Sequence, residues 1–303
     1  MKLPSNVDSE DKDYGVSLRR EKALAPGQWA VISSNMYMGC SSTYKILPSG
    51  AYEITVDDDS GKPIFIKKDL IHDDLIHLNG LPNQITQEIR DFWKKKNDFI
   101  KLGFLHRRGI LLWGSHGCGK TSLIHEIIDD IIKDGGIVFY CNNPDFFNKG
   151  ISLFREVEPE RNIICVFEDI DATITKYGEH KLLSILDGEN LISGVCNLAT
   201  TNYPELLDKR IVGRPRRFDR VYKIENLDKD ARIAFLKKKL PAGANQKEWV
   251  EKTDGMSIAS ISEMIISVFC FGKKIEEVLE IMKNLAKNKK SSDSSESGLG
   301  FSD

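Results

Sequence analysis

The stretch Gly114-Ser115-His116-Gly117-Cys118-Gly119-Lys120-Thr121 has the spacing G-x-x-x-x-G-K-[ST] in full. Glycines at these positions let successive backbone N–H groups curl around phosphate oxygens, and a following helix N-terminus adds partial positive charge. The lysine at this spacing reaches the β- and γ-phosphates, and the hydroxyl after it ligates Mg²⁺. An apolar run (Ile110 to Trp113) precedes the loop and a helical pattern, "SLIHEIIDDII", follows it. A glycine-rich turn with a chance lysine would not need both flanks. The nine residues Gly114, Ser115, His116, Gly117, Cys118, Gly119, Lys120, Thr121 and Ser122 are therefore expected to hold a nucleotide, ATP with Mg²⁺.

A phosphate loop requires a second element, an acid at the tip of a neighbouring strand. "IICVFEDIDA", residues 163 to 172, supplies it. An apolar β-run leads straight into Glu168 and Asp169, with Asp171 two residues on. Such strands usually end Asp-Glu, the shorter acid near the metal and the longer one at the water. Here the order is reversed. Neighbouring strand residues face opposite sides, so position assigns Glu168, with Thr121, to the metal and Asp169 to the attacking water. Asp171 reads as a loop contact or helix cap. Asn202, closing "LATTN", puts an amide at the tip of the next strand, where it can orient water or touch the γ-phosphate. "GRPRRFDR", residues 213 to 220, carries four arginines. No aromatic or lysine-rich stretch surrounds them, as a nucleic-acid groove would want. Arginine fingers that neutralise charge on the γ-phosphate are the better use.

These groups need a scaffold, and the pattern around them is strand alternating with helix. "GILLWG", "GIVFYC", "NIICVFE" and "GVCNLATTN" are β-like runs, separated by helical segments. The fold class is α/β, a P-loop parallel sheet with helices on both faces. Residues 1–22 are polar and read as a flexible tail. Residues 23–80 read as a small β-rich N-terminal segment, with "AYEITV" and "PIFIKK" between turn signals. Residues 81–226 form the nucleotide-binding domain, opened by a helix with Ile85, Ile89, Phe92 and Trp93 on one face. Residues 227–288 read as a small all-α lid, with Ile258, Ile261, Ile265 and Val268 on a helix face after Gly255. The serine-rich end, 289–303, reads as disordered.

Composition excludes several classes. Of 303 residues, 29% are charged, yet the net charge is only −2, so no global field recruits nucleic acid or anionic lipid. Six cysteines are scattered without a CxxC pair and the histidines form no HExxH, which argues for reduced thiols in the cytoplasm. "HDDLIH", from His72 to His77, reads as an exposed turn rather than a metal site. No apolar run is long enough to span a membrane, and no signal-peptide pattern opens the chain. A guanine-reading N-K-x-D segment is absent, which argues against a GTPase.

Together the motifs resemble the AAA ATPase family over about residues 80 to 285. "FIKLGFLHRRGILLWGSHGCGKTS" is similar to that family's Walker A region and "FEDIDA" to its Walker B. "LLSILDG" resembles the helix that follows, "ATTNYPELLD" its sensor 1, "RPRRFD" its second region of homology, and "TDGMSIASISEMI" the opening of its lid. The Glu-Asp order and the "FW…G.LHRRGILL" approach most resemble the subgroup of the mitochondrial chaperone for the Rieske protein and its bacterial and viral relatives. The resemblance implies an ATP hydrolase that works as a homo-oligomeric ring, hexamer or heptamer, on a protein partner. It implies that Arg214 and Arg217 are interface arginines acting on a neighbour's nucleotide. No arginine opens the "SIASIS" helix, so a sensor 2 residue is not expected. The nearest pore-loop candidate, "FFNKG" at Phe146 to Gly150, reads as core. Two further functions stay open: a nucleotide switch or structural ring with slow hydrolysis, and a nucleic-acid motor or loader.

Overall fold

A computed structural model describes residues 28–33, 36–40, 43–70, 80–187, 193–207 and 217–284. The expected flexible tails, the "HDDLIH" stretch and Arg214 lie outside the described residues. The chain divides into two compact units, Met1–Leu47 and Pro48–Asp303. In the first, β1 (Gln28–Ser33) and β2 (Met36–Cys40) pair antiparallel.

The second unit is built on seven strands in the order β4-β3-β6-β7-β8-β5-β9. These are β3 (Gly50–Val56), β4 (Pro63–Lys68), β5 (Arg107–Trp113), β6 (Ile137–Tyr140), β7 (Ile163–Phe167), β8 (Val195–Thr201) and β9 (Arg220–Lys223). Every pairing is parallel except β3 with β4, and helices cover both faces. Central parallel strands are buried on both sides, which requires apolar runs rather than alternation. All of β7 and β8 is buried, and Ile110, Leu111 and Leu112 of β5 have no exposed surface. Helices α1 (Leu81–Lys94) and α3 (Lys120–Lys133) bring Ile85, Ile89, Phe92, Leu123, Ile124, Ile127 and Ile131 to one core on this sheet. Between α1 and β5 lies the short α2 (Lys96–Lys101).

One boundary differs from the sequence reading. Residues 23–80 are not one separate β-rich segment, because β3 and β4 extend the large sheet. A two-stranded hairpin cannot bury an apolar face by itself. Here Tyr52 and Phe65 pack their rings on Phe139 of β6, and Phe65 also meets Phe154 of α4 (Pro144–Val157). Gly150 permits this approach, since a Cβ there would sit 2.3 Å from the Ile54 side chain. The "FFNKG" residues lie inside α4, with Phe147 buried. Asn143 caps that helix, its side-chain oxygen accepting from the Asp145 N–H at 3.0 Å.

Beyond β9 the chain is helical: α7 (Lys229–Lys239), α8 (Gln246–Lys252), α9 (Ile258–Phe269) and helical residues 275–284. Phe235, Leu236, Trp249, Ile261, Met264 and Val278 close around a core of their own. Ser257 caps α9 by accepting from the Ser260 N–H. No helix among the described residues is long and apolar enough to cross a membrane.

His106, just ahead of β5, is fully buried. Its Nε2–H donates to the Phe92 carbonyl at 2.7 Å and its ring stacks on Phe92, while Nδ1 is buried without a hydrogen-bond partner. Burial holds its pKa below the ordinary value of 6.5, and nearby Lys96 lowers it further against the Phe92 bond. A group depressed in the folded state stabilises above its unfolded pKa. That contribution is lost as pH falls through the folded value. Stability should therefore decline below about pH 6.5, with a slope from this residue of at most about 1.4 kcal/mol per pH unit. Urea midpoints between pH 5 and 7.5 for the wild type and His106→Phe measure it. Equal slopes would show that His106 is not the group responsible.

Candidate active site

Parallel register sets the site. Trp113, the last residue of β5, pairs with Thr201 of β8, and Phe167, the last of β7, pairs with Ala199. The phosphate loop, Asn202 and the acid pair thus emerge together at the C-terminal edge of three adjacent strands, where ligands of open α/β sheets bind. The loop enters α3 through Gly119, whose φ of +102° would strain any side chain.

Lys120 is only 6% exposed. Its ammonium donates to the Gly114 carbonyl at 2.7 Å, the Ser115 carbonyl at 3.0 Å and the Asn202 Oδ1 at 2.6 Å. Asn202 in turn donates from Nδ2 to the Asp169 Oδ1 at 3.0 Å. The lysine, the amide and the second acid are thus one connected group at the mouth of the loop.

The two acids divide by their contacts. Glu168 lies beside the Thr121 side chain, whereas Asp169 faces Asn202. Burial pushes the Glu168 carboxyl above the usual carboxylate range. Lys68 and the Thr121 side chain pull it down, and Asp169 adds to the rise. Strand alternation does not produce this division, because β7 stops at Phe167. Asp169 is left-handed, at φ 46° and ψ 61°, the sole described non-glycine with positive φ. Such a conformation costs about 1 kcal/mol or more unless the surroundings hold it. Its N–H donates to Thr200 Oγ1 at 2.9 Å, a contact that fixes the turn. Asp171 lies in the first turn of α5 (Ile170–Tyr177), which α6 (Glu179–Asp187) follows, and accepts from the Thr201 hydroxyl at 2.7 Å.

The residues fit a Mg²⁺ ion. One Glu168 oxygen, Oε1, is buried with no hydrogen-bond partner, and the Thr121 hydroxyl lies beside the carboxylate. No group of three or more His, Cys, Asp or Glu side chains among the described residues forms a closed metal cage. One carboxylate and one hydroxyl, completed by phosphate oxygens and water, is the open octahedral set Mg²⁺ takes.

Of the two arginines expected at an interface, Arg214 lies outside the described residues and Arg217 is 6% exposed, in the segment that runs into β9. Asp219, two residues on, fixes that segment: its Oδ2 accepts from the Gly109 N–H at 3.0 Å, and its own N–H donates to the Gly109 carbonyl at 2.8 Å.

A cleft of about 520 Å³ opens on Lys120, Thr121, Asp169 and Asn202. The lid closes one wall with Ile258, Ala259, Ser262, Glu263 and Ile266, and the Ala259 N–H donates to the Gly117 carbonyl at 3.2 Å. No arginine is among the described residues that line this cleft. A cleft of about 540 Å³ lies at the opposite strand ends, but its Arg108 and Arg220 are already matched by Glu88. Chemistry, not size, singles out the site. Sequence reasoning missed Thr200, Thr201 and Tyr203 as supports of the site. The hydroxyl-rich flanks of Asn202 in "LATTNY" were the available signal.

Comparison with known proteins agrees with this geometry. Residues 110–226 match the family described as ATPase family associated with various cellular activities (AAA). The chain is 30% identical over 200 residues to the ATP-dependent zinc metalloprotease FtsH of Aster yellows witches'-broom phytoplasma (strain AYWB), covering 57% of this chain and 29% of that protein. It is 30% identical over 188 residues to the ATPase family gene 2 protein of Saccharomyces cerevisiae, 54% of this chain and 24% of the relative. With the proteasome-activating nucleotidase of Methanococcus maripaludis it shares 29% identity over 191 residues, 56% and 46%. The match thus spans less than half the length of each of these relatives. Residues 110–226 are thus similar to an AAA ATPase domain, and the mostly parallel sheet with helices on both sides is consistent with a P-loop α/β fold.

Proposed function

We propose that this protein is an ATP-driven machine that assembles as a homo-oligomeric ring, six or seven chains, and remodels or moves a protein partner. The observation that carries the reading is the connected group Lys120–Asn202–Asp169 beside the Glu168–Thr121 pair. Lys120 binds the terminal phosphates and neutralises charge developing on them. Asp169 orients the attacking water and accepts its proton, held in place by Asn202. Glu168 and Thr121 hold Mg²⁺, which when bound withdraws charge from the phosphate oxygens.

Among the described residues lining this cleft there is no arginine. An arginine supplied by a neighbouring chain would complete it, and Arg214 is the candidate, since Arg217 is buried. The Glu-Asp order also supports kinship with the Rieske-protein chaperone subgroup. The net charge of −2 argues against nucleic acid as partner. A second reading, a nucleotide switch or structural ring with slow hydrolysis, is favoured by the helical setting of "FFNKG", in which Phe147 and Gly150 are buried.

Sedimentation with a non-hydrolysable ATP analogue should show a shift from the 34.2 kDa chain to six or seven times that mass. Arg214→Ala should bind ATP and turn it over poorly, and mixing it with Lys120→Ala chains should restore measurable turnover. A fully active monomer, or no restoration at any ratio, contradicts the ring. Turnover that stays slow with every protein partner tried would favour the switch.

A further inference from the structure

The side chain of His116, the third residue of the phosphate loop, has no role in the scheme above. It is exposed and lines the cleft. Its Nε2 lies 3.0 Å from the Tyr203 hydroxyl, and the two rings meet edge-on with centroids 5.4 Å apart. Tyr203 directly follows Asn202. Its N–H donates to Thr201 Oγ1 at 3.1 Å, and that hydroxyl donates to Asp171 Oδ1 at 2.7 Å. Asn202 is thus flanked by a residue tied to the turn after β7 and a residue tied to the phosphate loop.

We propose that His116 and Tyr203 form a clasp between the phosphate loop and the strand-end loop, and that this clasp positions Asn202 between Lys120 and Asp169. The proposal rests on the ATPase reading. Asn202 makes two short contacts of opposite sense, accepting from Lys120 and donating to Asp169. Its amide therefore has one useful orientation, and small displacements break one contact or the other. Asn202 sits beyond the last residue of β8, Thr201, where the ladder no longer fixes the backbone. The clasp supplies that constraint from the loop side, while Thr201–Asp171 supplies it from the acid side. A phenol can donate to the imidazole or accept from it, so the contact forms with either tautomer of the ring.

The test uses the full chain. Removing only the hydroxyl, Tyr203→Phe should lower kcat about 3- to 10-fold, the weight of one ordinary hydrogen bond, with KM for ATP within about twofold. His116→Ala should give the same loss, and the double variant no more than either alone. His116→Gln, which keeps a side-chain N–H, should recover part of it. In the nucleotide-free protein, Tyr203→Phe should move the ¹⁵N resonances of the His116 ring and of the Asn202 amide. Multiplicative losses in the double variant, a change confined to KM, or resonances that do not move would overturn the clasp. If the ATPase reading itself fails, wild-type protein neither binds nor turns over ATP, and the two resonances still decide whether the clasp positions Asn202.

Discussion

Lys120→Ala should lower ATP turnover by about 10²- to 10³-fold, the effect of removing a preorganised donor from developing charge, and weaken ATP binding with it. The ammonium is nearly buried, and its partners lie at the mouth of the loop: two loop carbonyls, the Cys118 Sγ and the Asn202 Oδ1. A charge is costly to bury unless such contacts match it. Its position beside the cleft allows phosphate oxygens to become its strongest partners. Because substrate and transition state both carry charge on those oxygens, loss should appear in KM as well as kcat. Truncation leaves the two carbonyls without this donor, so Lys120→Met, which retains most of the apolar stem, separates local collapse from lost charge. Calorimetric ATP titration and turnover of both variants, alongside their melting temperatures, make the measurement. Normal affinity and turnover in both would sink the nucleotide reading of the site.

The acid pair yields the second large effect. Asp169→Asn keeps size and most hydrogen bonds but removes the carboxylate that faces Asn202. It should leave ATP and Mg²⁺ binding close to normal and lower turnover by about 10² or more, as for loss of a general base. Glu168→Gln should weaken Mg²⁺-dependent binding first, because Glu168 lies beside the Thr121 hydroxyl and keeps a buried oxygen unmatched. Measuring the Mg²⁺ dependence of nucleotide affinity and the turnover of each variant separates the roles. If Glu168→Gln traps bound ATP while Asp169→Asn loses the metal, the two acids have exchanged places. The left-handed turn at Asp169 raises a structural complication. Asparagine tolerates that conformation about as well as aspartate, so Asp169→Asn tests charge rather than backbone. A β-branched replacement would test both at once.

The chemistry of the phosphate loop was determined by sequence alone, because its glycines, lysine and hydroxyl act through local backbone geometry. The same holds for the parallel sheet: continuous apolar runs such as "IICVF" and "VCNLA" can be buried on two faces only in such a layer. Helix α9 was equally legible from its periodicity. What residues 48 to 70 do was not. Whether "AYEITV" and "PIFIKK" stand alone or extend a larger sheet depends on Phe139 and Phe154, far along the chain, presenting a face for them. Nor could spacing fix the segment of Arg217, since its anchor is a side chain, Asp219, bonded to a backbone more than 100 residues away. The acid pair lies between these cases. Its residue types announce a metal side and a water side, and in the structure Glu168 lies beside Thr121 while Asp169 faces Asn202. The reason is different from strand alternation: β7 ends one residue early, and Thr200 on the adjacent strand holds Asp169 in a turned conformation. Local chemistry is written in consecutive residues, whereas orientation is set by whichever distant strand the register brings alongside.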